Sequence, residues 1–270
     1  MLTILDKIIA QKKIEVEQNK QIIHQTELEK SIYFDKKTNS LFDKLTEKVG
    51  IIAEIKRQSP SKGVINTKFP KEIGQERTNF VQNLAQSYAQ AGASGLSILT
   101  DKYFFSGDDN DLKDARTTTN IPILRKEFII DEYQIWEAKA MGADVILLIA
   151  ACLTKEQTKF LAKKAKEVGL EILLEIHKKE EIDYIDSTID LVGVNNRNLH
   201  NFEVSVDNSL QLAEKIPDEC IKISESGLNG LSDIHLLMEV GFRGFLMGEI
   251  FMKTENPAAA LKKITERITI

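Results

Sequence analysis

The chain has 270 residues, 42% hydrophobic and 29% charged, with 36 basic against 41 acidic side chains and a net charge of −5. Such a chain can bury a substantial core without disulfides or metals. Its acidic balance speaks against nucleic-acid binding but leaves room for a small anionic ligand, which needs positive charge only at its site. Cys152 and Cys220 stand far apart and form no C-x-x-C pair, so no disulfide framework is expected and a cytoplasmic setting is the default. The N-terminus lacks the basic start and apolar run of a signal peptide, and no run approaches the roughly 18 apolar residues of a membrane span.

In chain order, residues 2–20 read as an amphipathic helix, with Leu2, Ile4, Leu5, Ile8, Ile9, Ile14 and Val16 near helical spacing. A second helix is expected over Thr26–Ile32. Residues 1–48 are therefore read as a helical extension packed on the main domain. From residue 49 short apolar runs alternate with longer amphipathic stretches. The runs begin Gly50–Ile55, Leu96–Leu99, Ile121–Leu124 and Asp144–Ile149, and continue Glu171–Ile176, Leu191–Asn195, Ile221–Ser224 and Gly244–Met247. They are nearly continuous rather than alternating, as parallel strands covered on both faces should be.

Helices are expected between them, over Asn79–Ala91, Asp131–Met141, Thr154–Val168, Ser205–Lys215, Leu231–Val240 and Pro257–Ile268. Thr154 and Gln157 have capping-box spacing, Gly169 and Gly241 stand where helices end, and Asn256 precedes a proline suited to a first helical position. Eight strands, each followed by a helix, predict one (β/α)8 barrel of the TIM type spanning 1–270. The rival, an open doubly wound sheet, would carry a G-x-G-x-x-G after an early strand, and there is none. The chain stops after its last helix, so no second fused enzyme is expected.

Barrels of this kind place chemistry at the C-terminal strand ends. The first strand ends in Glu54-Ile-Lys56, whose two charges share one face. Alone they read equally as a structural ion pair or as a ligand site. Arg125-Lys126-Glu127-Phe128 ends the third strand, Glu175 the fifth, Asn195-Asn196-Arg197-Asn198 the sixth and Ser224-Glu225-Ser226-Gly227 the seventh. Polar groups converging from five strands point to a reaction site, with a lysine as general acid and a carboxylate as base. Ser226-Gly227 and Met247-Gly248 fall in the two loops that commonly hold phosphate in this fold, with Glu249 expected to turn away. The basic loop Arg57–Gly63 reads as a flap that brings Ser59 and its charges near the ligand.

Taken together, these segments resemble the indole-3-glycerol-phosphate synthase family of tryptophan biosynthesis, over nearly the whole chain. The carriers are Ala53-Glu-Ile-Lys-Arg-Gln-Ser-Pro-Ser-Lys-Gly63, Leu96-Ser-Ile-Leu-Thr-Asp101, Pro122-Ile-Leu-Arg-Lys-Glu-Phe-Ile-Ile-Asp131 and Leu173-Leu-Glu-Ile-His177. Gly193-Val-Asn-Asn-Arg-Asn-Leu199, Ser224-Glu-Ser-Gly227 and Gly244-Phe-Leu-Met-Gly248 complete the set.

The resemblance implies a decarboxylating ring closure of 1-(2-carboxyphenylamino)-1-deoxyribulose 5-phosphate, with no metal or organic cofactor. It makes Lys126 the general acid and Glu175 a base or a stabiliser of positive charge. Lys56 and Glu54 would serve the substrate carboxylate and the dehydration. Asn195, Arg197, Glu225 and Ser226 would orient the substrate, and Phe105 and Phe128 would line the aromatic-ring pocket. Ser59, Lys56, Gly227 and Gly248 would contact phosphate. Two departures stand out: Glu127 where the family more often has aspartate, and an acidic loop after strand 2 with Asp108 where serine is common.

His24, His177, His200 and His235 show no metal-ligand spacing. His177 reads as a loop or helix-start residue, Trp136 as helix packing, Cys152 as a small apolar filler and Lys163–Lys166 as a solvated helix face. The competing functions are an isomerase of the same pathway and a non-catalytic barrel that senses a phosphorylated metabolite. The expected partner is that small phosphorylated molecule, with no nucleic acid or membrane, and the chain is expected to be a monomer or weak homo-oligomer. Removal of residues 1–45 is expected mainly to weaken substrate binding, because the extension should shield the barrel mouth.

Overall fold

The computed structural model describes residues 3–60, 63–66, 68–70, 72, 74–197 and 203–268. Eight parallel strands close into a barrel in chain order. They are β1 (Gly50–Ile55), β2 (Gly95–Leu99), β3 (Ile123–Lys126), β4 (Val145–Ile149), β5 (Glu171–Ile176), β6 (Leu191–Asn195), β7 (Ile221–Glu225) and β8 (Phe242–Met247). The circle closes where β8 pairs with β1, Gly50 opposite Gly244 and Ala53 opposite Met247. A two-stranded hairpin, Gln58–Ser59 with Gly63–Val64, rises from the end of β1.

The helices that precede and cover the barrel are α1 (Ile4–Ile22), α2 (Gln25–Leu28), α3 (Leu41–Glu47), α4 (Gln75–Gln90), α5 (Lys102–Phe105) and α6 (Asp109–Thr118). There follow α7 (Tyr133–Met141), α8 (Lys155–Glu167), α9 (Asp207–Leu212), α10 (Leu231–Glu239), α11 (Glu249–Met252) and α12 (Pro257–Ile268). The Thr154–Gln157 capping box forms, and Gly169 and Gly241 take left-handed backbone at helix ends. No described helix is long and apolar enough to cross a membrane.

Four details depart from the sequence-based expectation. The third strand runs two residues later, because Pro122 has no N–H to give the ladder and pairing starts at Ile123. Arg125 and Lys126 are its last two residues, on opposite faces, so the strand ends there and Glu127 and Phe128 lie beyond it. The fifth crossover is a 3-10 segment, Lys179–Tyr184, in place of an eighth full helix. The second helix is a single turn, and α3 was not anticipated.

α3 sits beneath the barrel. Its N-terminus is held by Glu171 at the start of β5, which accepts from Ser40 Oγ at 2.5 Å and from the Leu41 and Phe42 N–H groups at 2.8 and 3.1 Å. Leu41 and Leu45 join the barrel-interior cluster. Glycines at the lower strand ends make the room: a Cβ on Gly244 would lie 2.9 Å from Leu45, and one on Gly95 3.1 Å from Leu41. Above them Ile52, Leu124, Leu173 and Ile223 form an apolar floor. These come from β1, β3, β5 and β7, the alternate strands that share a layer in such barrels.

Candidate active site

Two residues further along the same four strands the inward side chains are Glu54, Lys126, Glu175 and Glu225. The layer above the apolar floor is therefore one ammonium and three carboxylates. Period-two alternation puts them there, one pleat above Ile52, Leu124, Leu173 and Ile223. Lys126 Nζ lies 2.5 Å from Glu225 Oε2 and 3.5 Å from Glu175 Oε2. Lys56, from just beyond β1, lies 2.5 Å from Glu54 Oε1, whose other oxygen accepts from Ser97 Oγ at 3.2 Å.

Burial opposes the charge on Lys126, but Glu225, Glu175 and Glu54 outweigh it and hold the ammonium well above the ordinary lysine range. Burial likewise works against the Glu54 anion, yet Lys56 and Lys126 keep its carboxyl below the usual range. Glu225 goes the other way. Burial, with Glu175 adding repulsion, overcomes the pull of Lys126 and pushes its carboxyl up to about 7.

A cavity of about 210 Å³ opens over this layer, and the residues given catalytic or substrate-binding roles by the family resemblance line it, whereas Arg57, Arg125 and Asn196 do not. Glu54, Lys56, Lys126, Glu175 and Glu225 form its charged floor; Asn195, Arg197, Ser226, Gly227, Gly248 and Ser59 lie around the rim. Phe105 and Phe128 stand on one side with ring centroids 6.0 Å apart. Opposite, β7 leads into two successive left-handed residues, Ser226 (φ 67°) and Gly227 (φ 68°). Asn196 holds that turn: its Nδ2 donates to Ser224 Oγ at 2.9 Å and to the Ser226 carbonyl at 3.1 Å. Asn198 and His200 lie outside the described residues, as do Ser61 and Lys62 of the flap. Among the described residues, no group of three or more His, Cys, Asp or Glu side chains is arranged to hold a metal ion.

The indole-3-glycerol phosphate synthase family model matches residues 5–264. The chain belongs to the indole-3-glycerol phosphate synthase family. A synthase of that name from Bacteroides thetaiotaomicron is 46% identical over 270 residues, covering 99% of this chain and 100% of its own length. Another, from Polaromonas sp., is 41% identical and covers 98% of both chains. Membership makes the chain one of the decarboxylating lyases of tryptophan biosynthesis.

Among solved structures, 3-keto-L-gulonate-6-phosphate decarboxylase from Vibrio cholerae aligns with a TM-score of 0.60 at 15% identity, over 83% of this chain and 100% of its own. Tryptophan synthase subunit alpha from Legionella pneumophila aligns at 0.58 and 13%, over 84% and 95%. At such identity these two share the barrel fold alone.

Some neighbours differ from expectation. Arg57 does not approach the cavity. It turns outward to Asp111 of α6 at 2.8 Å and packs over the Phe69 ring at 4.7 Å. The acidic stretch after β2 is spent on local structure: Asp101 caps α5, Asp108 caps α6, Asp109 meets Arg125 at 3.1 Å, and Asp111 pairs with Arg57 and Arg77. Glu249 turns to Lys253 Nζ at 2.5 Å. His177 is closer to the floor than a loop residue would be, with Nε2 3.4 Å from Glu175 Oε1, and burial lowers its pKa.

The extension was expected to shield the mouth, but the α1 residues that do so were not identified from sequence. Ile4, Leu5 and Ile8 line the cavity, and Lys12, one turn further, is buried with its ammonium among Glu15, Asp101 and Glu127. The signal was present: Ile8, Lys12 and Val16 recur at four-residue spacing, so a lysine lies in the buried stripe of the helix.

Proposed function

We propose that Lys126, seated between Glu225 and Glu175 at the floor of the cavity, is the general acid for ring closure of 1-(2-carboxyphenylamino)-1-deoxyribulose 5-phosphate to indole-3-glycerol phosphate, with loss of carbon dioxide and water. The ring carbon bearing the carboxylate attacks the ketone carbon. As the new C–C bond forms, the carbonyl oxygen takes the Lys126 proton. The alkoxide otherwise formed is far more basic than an amine, so even a strongly held proton is transferred. The attack leaves positive charge on the anilino nitrogen, and Glu175 and Glu225 face it. The carboxylate leaves as carbon dioxide, returning its electron pair to the ring. The hydroxyl then leaves as water with a second proton, while a proton lost from the neighbouring carbon sets the pyrrole double bond. Lys56 and Glu54, 2.5 Å apart, serve the substrate carboxylate and this dehydration.

The phosphate does not react; held between Ser59, Lys56, Gly227 and Gly248, it fixes the rest of the molecule. Asn195, Arg197, Glu225 and Ser226 orient the sugar chain. Phe105 and Phe128 receive the aromatic ring, alongside Ile8 of α1. The chain is read as one barrel domain, with residues 1–48 packed on it, working in the cytoplasm as a monomer or weak homo-oligomer. The observation that carries the reading is the Lys126 ammonium held between Glu225 and Glu175 on the floor of the cavity. The test is direct: purified protein given the anilino-deoxyribulose phosphate without added metal should develop indole fluorescence. No product would overturn it.

A further inference from the structure

Lys12 belongs to α1, outside the barrel, yet its side chain is only 4% exposed. Its ammonium lies 3.1 Å from Asp101 Oδ2 and 3.0 Å from Glu127 Oε1. Each of these acids holds the backbone of one phenylalanine in the cavity wall. Asp101 Oδ1 accepts from the N–H groups of Phe104 and Phe105 at 2.7 and 3.1 Å. Glu127 Oε1 accepts from the Phe128 N–H at 2.8 Å, and its other oxygen accepts from Thr100 Oγ1 at 2.9 Å. Asp101 Oδ2, facing Lys12, has no hydrogen-bond partner among the described residues.

From this geometry we infer that Lys12 is a positioning residue for the aromatic end of the substrate: through Asp101 and Glu127 it sets the spacing between Phe105 and Phe128. The inference rests on the reading of these two rings as the aromatic-ring pocket. Two buried carboxylates, one at the end of β2 and one at the end of β3, share one cation borne by a third element. With the cation gone, like charges face each other in a dry environment, and one acid must take a proton or swing away. Either response releases a phenylalanine backbone. The same ammonium also fixes α1, whose Ile4, Leu5 and Ile8 complete the wall. Lys126 and Glu225 hang from other contacts, so the reacting groups stay in place.

The role predicts a split that a general loss of structure would not produce. Lys12→Met should raise KM for the anilino-deoxyribulose phosphate about tenfold while kcat stays within about twofold. Affinity for inorganic phosphate, which has no ring, should be unchanged. Lys12→Arg, which keeps the charge, should recover most of the loss. Lys12→Gln, which keeps a donor and part of the stem, should show the same KM rise and serves if the methionine variant does not fold. A folded Lys12→Met or Lys12→Gln protein with unchanged KM would overturn the inference. So would an equal loss of kcat and phosphate affinity. Phe105→Ala separates the two levels. If it leaves KM unaltered, the ring-pocket reading fails; if it raises KM and the Lys12 variants do not, the role of Lys12 fails.

Discussion

Gly193 in β6 is empty space that Glu225 in β7 occupies: a Cβ at Gly193 would lie 2.1 Å from Glu225 Oε1. The glycine is needed for room, and the room is what lets a carboxylate reach the middle of the barrel. Gly193→Ala should push Glu225 off Lys126 and cut kcat by at least about tenfold, with KM less affected. Steady-state kinetics beside a circular dichroism spectrum would check this; full kcat in the alanine variant would show that the placement of Glu225 is immaterial.

Lys126→Ala should cost on the order of a hundredfold or more in turnover, because it removes the ammonium that Glu225 and Glu175 hold at the floor of the cavity. The variant should fold, since the lysine offsets three carboxylates that can take up protons when it is gone. Near-normal turnover would remove Lys126 from the role of acid.

The raised pKa of Glu225 makes a prediction about stability. In the unfolded chain the carboxyl titrates near its ordinary 4.5, and in the empty folded protein near 7. Between those values the unfolded chain has released a proton that the folded one keeps. The contribution to stability is therefore complete below about 4.5, falls as pH rises through the window and is gone above about 7. Melting temperatures of wild type and Glu225→Gln, followed from pH 4.5 to 8, should show the wild type losing ground to the variant as pH rises. Parallel curves would contradict it.

The N-terminal segment does two separable things. Its first helix walls the cavity, and α3 stoppers the barrel from below. Removal of residues 1–24 should raise KM and leave the melting temperature less changed. Removal through residue 47 should also unfold the barrel at lower temperature, since Leu41 and Leu45 are each worth roughly 2–5 kcal/mol when buried. Thermal melts of the two truncations decide it. An equal Tm for both would mean the stopper carries no weight.

Much of this was legible in the chain. Glu54 and Lys56 two residues apart, and Glu175 ending an apolar run, can be read as inward-facing groups because strand alternation is rigid. The order of strands around the barrel follows from the alternation of short apolar runs with helices. What escaped depends on contacts between distant elements. α3 is seven residues long and owes its place to Glu171 and to two glycines far along the chain, Gly95 and Gly244, none of which marks it locally. Arg57 reads as a site residue by its neighbours, but its direction is set by Asp111 and Phe69. The two-residue shift of β3 shows how one proline moves the start of a ladder; because the shift is even, the faces of Arg125 and Lys126 stay as strand alternation sets them.

The stopper has a consequence for traffic. Leu41, Leu45 and the leucine–isoleucine layer fill the lower bore of the barrel beneath the cavity. On the proposed reaction, substrate, the carbon dioxide and water cast off, and the indole product would then share the upper side of the cavity, which α1 helps to wall. Comparison of single-turnover with steady-state rates would show whether passage by that route, rather than the chemistry beneath it, limits turnover.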